Sequence, residues 1–267
     1  MGWCTLLWKV SLATSESGAS KNTRPSWFPS KFIVGVDGRL RPNASWREVF
    51  PGSWLNVAIL SQQYSNLIPQ YVRGDVLDLG CGKAPLFGAY RTQAESVVLS
   101  DWPSTRHGNR VIDVYASASE GLPFANDSFD TVIMSDVLEH LWSPKDALAE
   151  VRRVLKPGGV LLFNVPFYYW IHEEPHDYFR YTEYALGRMA MAAGLQVELL
   201  EPIGGVLASA IDTVAKACSV SRFGWLPALL LQRVAYLVGW KLFPRLAKVG
   251  RNMPIGYIGV FRRSASA

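Results

Sequence analysis

The chain has 267 residues, of which 49% are hydrophobic, and a formal net charge of +5. This length suits one substantial domain with extensions, and the apolar fraction excludes a disordered or fibrous chain. The three cysteines, Cys4, Cys81 and Cys218, lie far apart and are odd in number. They form neither a disulfide framework nor a paired metal-ligand spacing, which favours a reducing, cytoplasmic compartment.

The charge is unevenly distributed. From Gly205 to the end there are nine Lys or Arg residues and one acid, Asp212, so this part carries +8 and the preceding residues carry −3. Such an asymmetry suggests an anionic partner, either a membrane surface or nucleic acid. Charges interrupt the most apolar stretch, residues 223–243, and a spanning helix needs about 18 uncharged apolar residues. We therefore expect no targeting or membrane-spanning segment, and at most peripheral contact with an anionic membrane.

The predicted elements alternate along most of the chain. Residues 1–50 are rich in Ser, Pro, Gly and Trp and are predicted to form an irregular N-terminal extension whose tryptophans pack locally. Apolar spacing predicts helices over 54–72, 143–155 and 182–193, and strands over 76–79, 96–101, 110–114, 129–136, 159–166, 195–200 and 257–263. Residues 51–203 are thus an α/β core, and 255–267 are a last strand and tail. Residues 204–254 are a basic, apolar, helical insertion that suits a lid or a membrane interface, in two pieces because Pro244 interrupts it.

A glycine-rich turn follows the first strand of this core. Asp78, Gly80 and Gly82 stand in the sequence DLGCG, and glycines here let a ligand approach the backbone. In the dinucleotide fingerprint a third glycine would stand where this chain has Pro85, which argues against a nicotinamide oxidoreductase. Asp101 ends the second strand about 20 residues later, where an acid accepts ribose hydroxyls. Trp102 is a candidate to cover an adenine face.

Three further motifs follow in order: LPF at 122–124, SDVLEH at 135–140 and RVLKPGG at 153–159. With the glycine turn, the series resembles class I S-adenosyl-L-methionine-dependent methyltransferases of the type 11 family over residues 55–202. The resemblance implies a Rossmann-like, doubly wound, mostly parallel seven-stranded sheet and S-adenosyl-L-methionine as cofactor. It places Asp78, Gly80 and Gly82 at the methionine end of the cofactor, with Cys81 as a small residue inside the turn. It further places Asp101 at the ribose, Asp113 at the adenine amino group and Ser135 beside the methyl donor.

An aromatic loop, residues 167–182, follows the fifth strand at the edge where α/β sheets bind ligands. We interpret it as a substrate-facing loop, with Tyr168, Tyr169, Tyr178 and Arg180 as substrate-binding candidates. Arg180 alternatively pairs with Asp177, and the whole loop alternatively is a buried polar segment. The candidate general bases are His140, His172 and His176, because histidine titrates near neutral pH. His172 and His176 also fit the pattern HExxH, but Pro175 disrupts the helix that a zinc site needs, so no metal is predicted.

The sequence therefore predicts a methyltransferase, EC 2.1.1.-, that acts on an oxygen of a small-molecule, lipid-linked or glycan-linked acceptor. Methylation of nucleic-acid bases on nitrogen is disfavoured, because SDVL stands at 135–138 where an Asn/Asp-Pro-Pro-Tyr motif is expected. Two alternatives stay open. One is an RNA methyltransferase that uses the basic C-terminal region, and the other is a non-catalytic, membrane-associated protein that binds S-adenosyl-L-methionine.

Overall fold

The computed structural model describes residues 24–105, 111–221, 223–250 and 252–265, with the backbone alone for 239–250. A small antiparallel hairpin of β1 (Phe32–Val34) and β2 (Leu40–Pro42) precedes the main sheet. The main sheet contains β3 (Gly74–Leu79), β4 (Ala94–Asp101), β5 (Val114–Tyr115), β6 (Phe129–Ser135), β7 (Leu155–Pro166), β8 (Leu195–Ile203) and β9 (Gly256–Arg263). The helices are α1 (Trp54–Tyr71), α2 (Phe87–Tyr90), α3 (Pro144–Val154), α4 (Glu183–Ala192), α5 (Val206–Ser219) and α6 (Trp225–Gly250), with 3-10 turns at Pro51–Ser53 and Leu138–His140.

The seven strands of the main sheet lie in the order β5-β4-β3-β6-β7-β9-β8. All neighbouring strands are parallel except β9, which runs antiparallel to both β7 and β8. The chain builds outward from β3 through β4 to β5, and then returns to place β6 on the other side of β3. This arrangement confirms the predicted doubly wound, Rossmann-like sheet. It also creates a crevice at the carboxyl ends of β3 and β6, where such sheets bind ligands.

The central strands are buried on both faces of the sheet. Val76 and Ile133 belong to one apolar cluster, which includes α1 residues such as Tyr64. Leu77 and Val132 belong to a second cluster on the opposite face, which α3 covers. Burial on both sides explains why these strands are continuous apolar runs rather than alternating ones.

Two regions of the described chain, the third predicted strand and the N-terminal extension, differ from the expectation. The strand predicted over 110–114 is reduced to the two residues of β5, and its first residue lies outside the described part of the chain. The extension is not wholly irregular, because it contains the β1–β2 hairpin. Its Trp27 packs at long range rather than locally: its ring lies 5.3 Å from that of Phe87, and its Nε1–H donates to the carbonyl of Ala84 at 2.9 Å.

The insertion before the last strand is helical, as predicted, and consists of α5 and α6. One helix continues through Pro244, so the expected break at this proline is wrong. The side chains of Lys241, Arg245 and Lys248, which carry part of the positive charge of the insertion, lie outside the described residues. In the described part of the chain, no helix is both long enough and apolar enough to cross a membrane.

Candidate cofactor and acceptor site

A cavity of about 630 Å³ opens in the crevice at the carboxyl ends of β3, β4 and β6. Its volume lies within the range of roughly 300–1,000 Å³ that is typical of small-molecule sites. The glycine turn, Asp101, Trp102 and Ser135, all candidate cofactor-binding residues, line it. Residues of the N-terminal extension, among them Lys31 and Glu48, cover another side. The cavity is therefore built by the core and by a segment outside the recognisable motifs.

The glycine turn is held by β4 and requires its glycines. The N–H groups of Gly80 and Cys81 both donate to the carbonyl of Ser100, at 2.8 and 3.0 Å. Gly80 and Gly82 have φ of +72° and +53°, a region that side chains disfavour. A Cβ atom on Gly80 would lie 2.5 Å from Cγ2 of Val137. Burial raises the pKa of the Cys81 thiol, so Cys81 is a neutral packing residue.

Asp101 lies at the end of β4 and is 5% exposed. Its carboxylate accepts the N–H of Gly82 at 3.1 Å and that of Trp102 at 2.8 Å. A carboxylate accepts about four hydrogen bonds, and donors from the described part of the chain fill two of these positions. Trp102 lines the cavity beside it. Ser135, across the crevice, donates to Oδ1 of Asn164 at 2.9 Å.

Asp78 does not have the predicted contact with the cavity. It is 3% exposed and lies behind the turn, where it accepts the hydroxyl of Tyr90 at 2.6 Å. Burial raises its pKa to about 7, against the opposing effect of the Tyr90 hydrogen bond. Asp78 therefore packs inside the protein against Tyr90 of α2, and it is not among the described residues that line the cavity.

Asp113 also does not lie where the resemblance implies. Both of its oxygens accept hydrogen bonds from Arg24, at 2.6 Å each, and one also accepts the N–H of Leu99 at 2.8 Å. The described residues that line the cavity do not include Asp113; residues 116–120 lie there instead. Arg24, from the N-terminal extension, therefore binds the carboxylate that the resemblance places at the adenine amino group.

The three candidate bases lie at two neighbouring cavities. His140 and His176 line the large cavity, whereas His172 lines a smaller one of about 150 Å³. Nδ1 of His140 is 2.8 Å from the carbonyl of His176 and therefore carries the proton, because a carbonyl only accepts. Nδ1 of His176 is 2.9 Å from the hydroxyl of Tyr178. Residues 173–175 form a turn rather than a helix, so His172 and His176 do not share a helix face.

The aromatic loop supplies only part of the predicted substrate contacts. Tyr178 lines the large cavity, and Tyr169 lines the small one, with its hydroxyl 3.1 Å from that of Ser53. Tyr168 is not among the described lining residues of either cavity.

Arg180 binds both oxygens of Asp177 and the carbonyls of Trp170 and Phe179, so it clamps the loop instead of facing a ligand. Although burial opposes it, the Arg180 guanidinium and the backbone N–H of His172 lower the pKa of Asp177 to about 2. The alternative pairing of Arg180 with Asp177 is the one observed.

Sequence reasoning missed an ion pair between the two cavities. Nζ of Lys31 lies 2.7 Å from Oδ2 of Asp136, and both residues line both cavities. Burial disfavours the charged amine, but Asp136 outweighs it and raises the pKa of Lys31. Asp136 follows the last residue of β6, a position that marks it as a candidate. Lys31 has no such signal, because only the fold brings the extension to this edge.

Sequence reasoning also missed Glu139, whose side chain is fully buried. Its Oε1 lies 3.7 Å from Nε2 of His140 and 3.8 Å from Nε2 of His172. Burial raises the pKa of Glu139 well above its usual range. Glu139 stands beside His140 in the sequence, but the approach of His172, 33 positions later, depends on the path of the aromatic loop.

The fold and the cavity define a doubly wound α/β protein with a crevice at the carboxyl ends of its central strands. Residues 77–163, about one third of the chain, match the type 11 family whose description is "Methyltransferase domain". This part of the chain is therefore similar to methyltransferase domains of the type 11 family. The match begins in β3 and ends in β7, so it contains the glycine turn, Asp101, Ser135 and Glu139.

Curated relatives and solved structures agree with this assignment. A probable S-adenosylmethionine-dependent methyltransferase of Mycobacterium tuberculosis is 31% identical over 109 residues, 39% of this chain and 39% of that protein. A demethylmenaquinone methyltransferase of Renibacterium salmoninarum is 39% identical over 92 residues, 33% of this chain and 39% of the relative. These matches span about two fifths of each relative's length. A SAM-dependent methyltransferase from Archaeoglobus fulgidus shares the fold, with a TM-score of 0.51 and 15% identity over 77% of this chain and 93% of that one.

Proposed function

We propose that the protein binds S-adenosyl-L-methionine in the large cavity and transfers its methyl group to an oxygen of a small-molecule or lipid-linked acceptor. The observation that supports this most directly is the Asp101 carboxylate, fixed by the glycine turn at the cavity wall. The ribose hydroxyls would donate to Asp101, the backbone of the turn would face the methionine end, and Trp102 would cover the adenine.

For this reaction the protein needs mainly to align the methyl group with the acceptor oxygen and to remove the acceptor proton. The new bond joins the acceptor oxygen to the methyl carbon while the sulfur–carbon bond breaks, which leaves a neutral thioether. The acceptor proton goes to a base, for which we propose His176. His172 lies in the small cavity, and Nε2 of His140 is closest to Glu139, whereas His176 lines the large cavity directly. A positioned base of this kind contributes about 10²–10⁴-fold in rate.

The small cavity is the candidate acceptor pocket. It adjoins the large cavity, because Lys31, Asp136 and Glu173 line both of them. Val57 and Leu60 supply apolar contacts there, and Tyr169 supplies an aromatic one. A mixed lining of this type suits an amphipathic acceptor that carries a hydroxyl near the ion pair.

Transfer is tested by incubating extracts with methyl-labelled S-adenosyl-L-methionine and the purified chain, followed by mass spectrometry of what gains the label. We expect a labelled small molecule or lipid with wild type and none with Asp101→Asn. Label on RNA alone would favour the RNA methyltransferase. Cofactor binding without label in any fraction would favour the non-catalytic alternative.

We further propose that α5, α6 and their connection contact an anionic bilayer, which would present a lipid-linked acceptor. Large apolar side chains are exposed along this surface: Leu207, Val214, Val220, Phe223, Leu226, Leu230 and Leu237. Exposed apolar surface of this kind is typical of an interaction site, and the net charge of +5 over residues 206–250 complements anionic lipid.

Flotation with vesicles separates the contributions of charge and of apolar surface. We expect the chain to float with phosphatidylglycerol-containing vesicles and less with pure phosphatidylcholine. The double variant Leu230→Glu/Leu237→Glu should lose flotation, whereas Tyr184→Glu, an exposed residue of α4, should retain it. Equal flotation of both variants, or none by wild type, would contradict membrane contact.

A further inference from the structure

The buried carboxylate of Glu139 faces two imidazoles on separate segments. Glu139 and His140 lie in the 3-10 turn after β6, and His172 lies in the aromatic loop after β7. One donor atom from each residue lies within 4.8 Å of the other two. We call this group the Glu139–His140–His172 cluster. Both segments follow carboxyl ends of parallel strands, so the fold brings them together at the edge where it binds ligands.

Both carboxylate oxygens of Glu139 are buried, and neither has a hydrogen-bond partner in the described part of the chain. The nearby N–H groups of Tyr178 and Phe179 donate to the backbone carbonyl of Glu139, so they do not serve its side chain. A buried carboxylate without partners costs several kcal/mol and is normally paired or bound to a metal. Nε2 of His140 is likewise buried and unpartnered among these residues.

One of the two imidazoles, that of His140, is oriented by a hydrogen bond on the side away from Glu139. Nδ1 of His140 donates to the carbonyl of His176, which leaves the lone pair of Nε2 on the side of Glu139. Nδ1 of His172 lies 3.3 Å from the carboxylate of Asp177, which Arg180 fixes, but it makes no hydrogen bond among the described residues. A ring nitrogen held by a carbonyl or a carboxylate, with the other nitrogen left for the ion, is the usual arrangement of metal-binding histidines.

We propose that the Glu139–His140–His172 cluster binds one divalent first-row transition cation, such as Zn²⁺. Two neutral imidazoles and one carboxylate are donors that suit such an ion better than Mg²⁺ or Ca²⁺. Bonds of about 2.1 Å in tetrahedral geometry place ligand atoms about 3.4 Å apart. The two separations from Glu139 are 3.7 and 3.8 Å, and the separation of the two histidine ligand atoms is at most 4.8 Å, so side-chain rotations would have to close all three. The fourth position would be open to water or to an acceptor oxygen.

The place of the cluster gives the ion a role in the proposed transfer. His140 lines the large cavity and His172 the small one, so the ion would lie where the acceptor meets the cofactor. A cation held there would lower the pKa of an acceptor hydroxyl bound to it, and so would ease the loss of its proton to His176 as the oxygen bonds to the methyl carbon. This role rests on the proposed methyl transfer, whereas ion binding itself does not.

Binding is tested with Co²⁺ on the metal-stripped full-length chain, because tetrahedral cobalt has visible absorption that reports its ligands. We expect one Co²⁺ per chain, displaced by Zn²⁺. Glu139→Gln and His172→Ala should each weaken binding at least tenfold, and His176→Gln should bind cobalt as wild type does. Because His172 is partly exposed, we expect His172→Ala to fold. This variant therefore still tests the proposal if Glu139→Gln does not fold.

Wild type that takes up no Co²⁺ or Zn²⁺ at millimolar concentration would overturn the proposal, and so would cluster variants that bind as wild type does. Either result would favour a proton shared between Glu139 and one histidine. A chain that binds S-adenosyl-L-methionine but no cobalt contradicts the metal site alone. A chain that binds cobalt but no cofactor contradicts the proposed function alone.

Discussion

The carboxylate of Asp101 accepts the backbone N–H of Gly82 at 3.1 Å and so joins the end of β4 to the glycine turn after β3. This bond fixes an acid at the wall of the cavity and shapes the turn at the same time. The two features that the sequence presents separately, 19 positions apart, are one structural unit. A substitution at Gly82 and a substitution at Asp101 should therefore each weaken cofactor binding.

Asp113 should matter for stability and not for the cofactor. Asp113→Asn weakens the two bonds from Arg24, a partly exposed pair, and should cost about 1 kcal/mol of unfolding free energy. Urea unfolding measures this cost. Affinity for S-adenosyl-L-methionine should change less than threefold. A tenfold loss would contradict this expectation and support the adenine contact that the resemblance implies.

Gly80 should not tolerate a side chain. Gly80→Ala places a Cβ atom 2.5 Å from Val137 in a positive-φ conformation and should lower the unfolding free energy by about 1–3 kcal/mol. Val137→Ala in the same chain should recover the steric part only, since the backbone strain remains. Urea unfolding of the single and double variants checks this, and a Gly80→Ala chain as stable as wild type would refute it.

His176 should act on the rate and not on cofactor affinity. His176→Gln removes the proposed base and should lower kcat about 10²–10⁴-fold once an acceptor is known. Calorimetric affinity for S-adenosyl-L-methionine should stay within threefold of wild type. A variant with unchanged kcat would move the base role to another group at the cavity.

Asp78 should make stability depend on pH. Its pKa is about 7 in the folded chain against an ordinary value of 3.8, so folding favours its protonated form. This contribution is fully present below about pH 4 and is lost as pH rises towards 7, by on the order of 4 kcal/mol. Asp78→Asn should remove that dependence. Urea unfolding from pH 4 to 8 compares the two, and parallel curves would contradict the raised pKa.

Much of the fold is predictable from the sequence because it depends on local patterns. The strands over 76–79, 96–101 and 129–136 are apolar runs buried on both faces, and all three are present within two residues of the expected bounds. The glycine turn and Asp101 follow from strand-to-helix chemistry that sequence spacing records. The short β5 is the weakest of these elements, and its prediction was the least accurate.

The parts that could not be predicted depend on contacts between distant segments. Arg24 takes the carboxylate of Asp113, and Tyr90 takes that of Asp78, so two acids with suitable spacing face away from the cavity. Lys31 reaches Asp136 across 105 positions. Glu139 acquires its significance from His172, which the aromatic loop brings back to it.

Calorimetric titration of the full-length chain with S-adenosyl-L-methionine tests the central claim most directly. We predict one site per chain, with affinity at least tenfold lower in Asp101→Asn and within threefold of wild type in Asp113→Asn. The matched pair separates an acid that lines the cavity from one that does not. No binding by wild type, or equal binding by wild type and Asp101→Asn, would contradict the account.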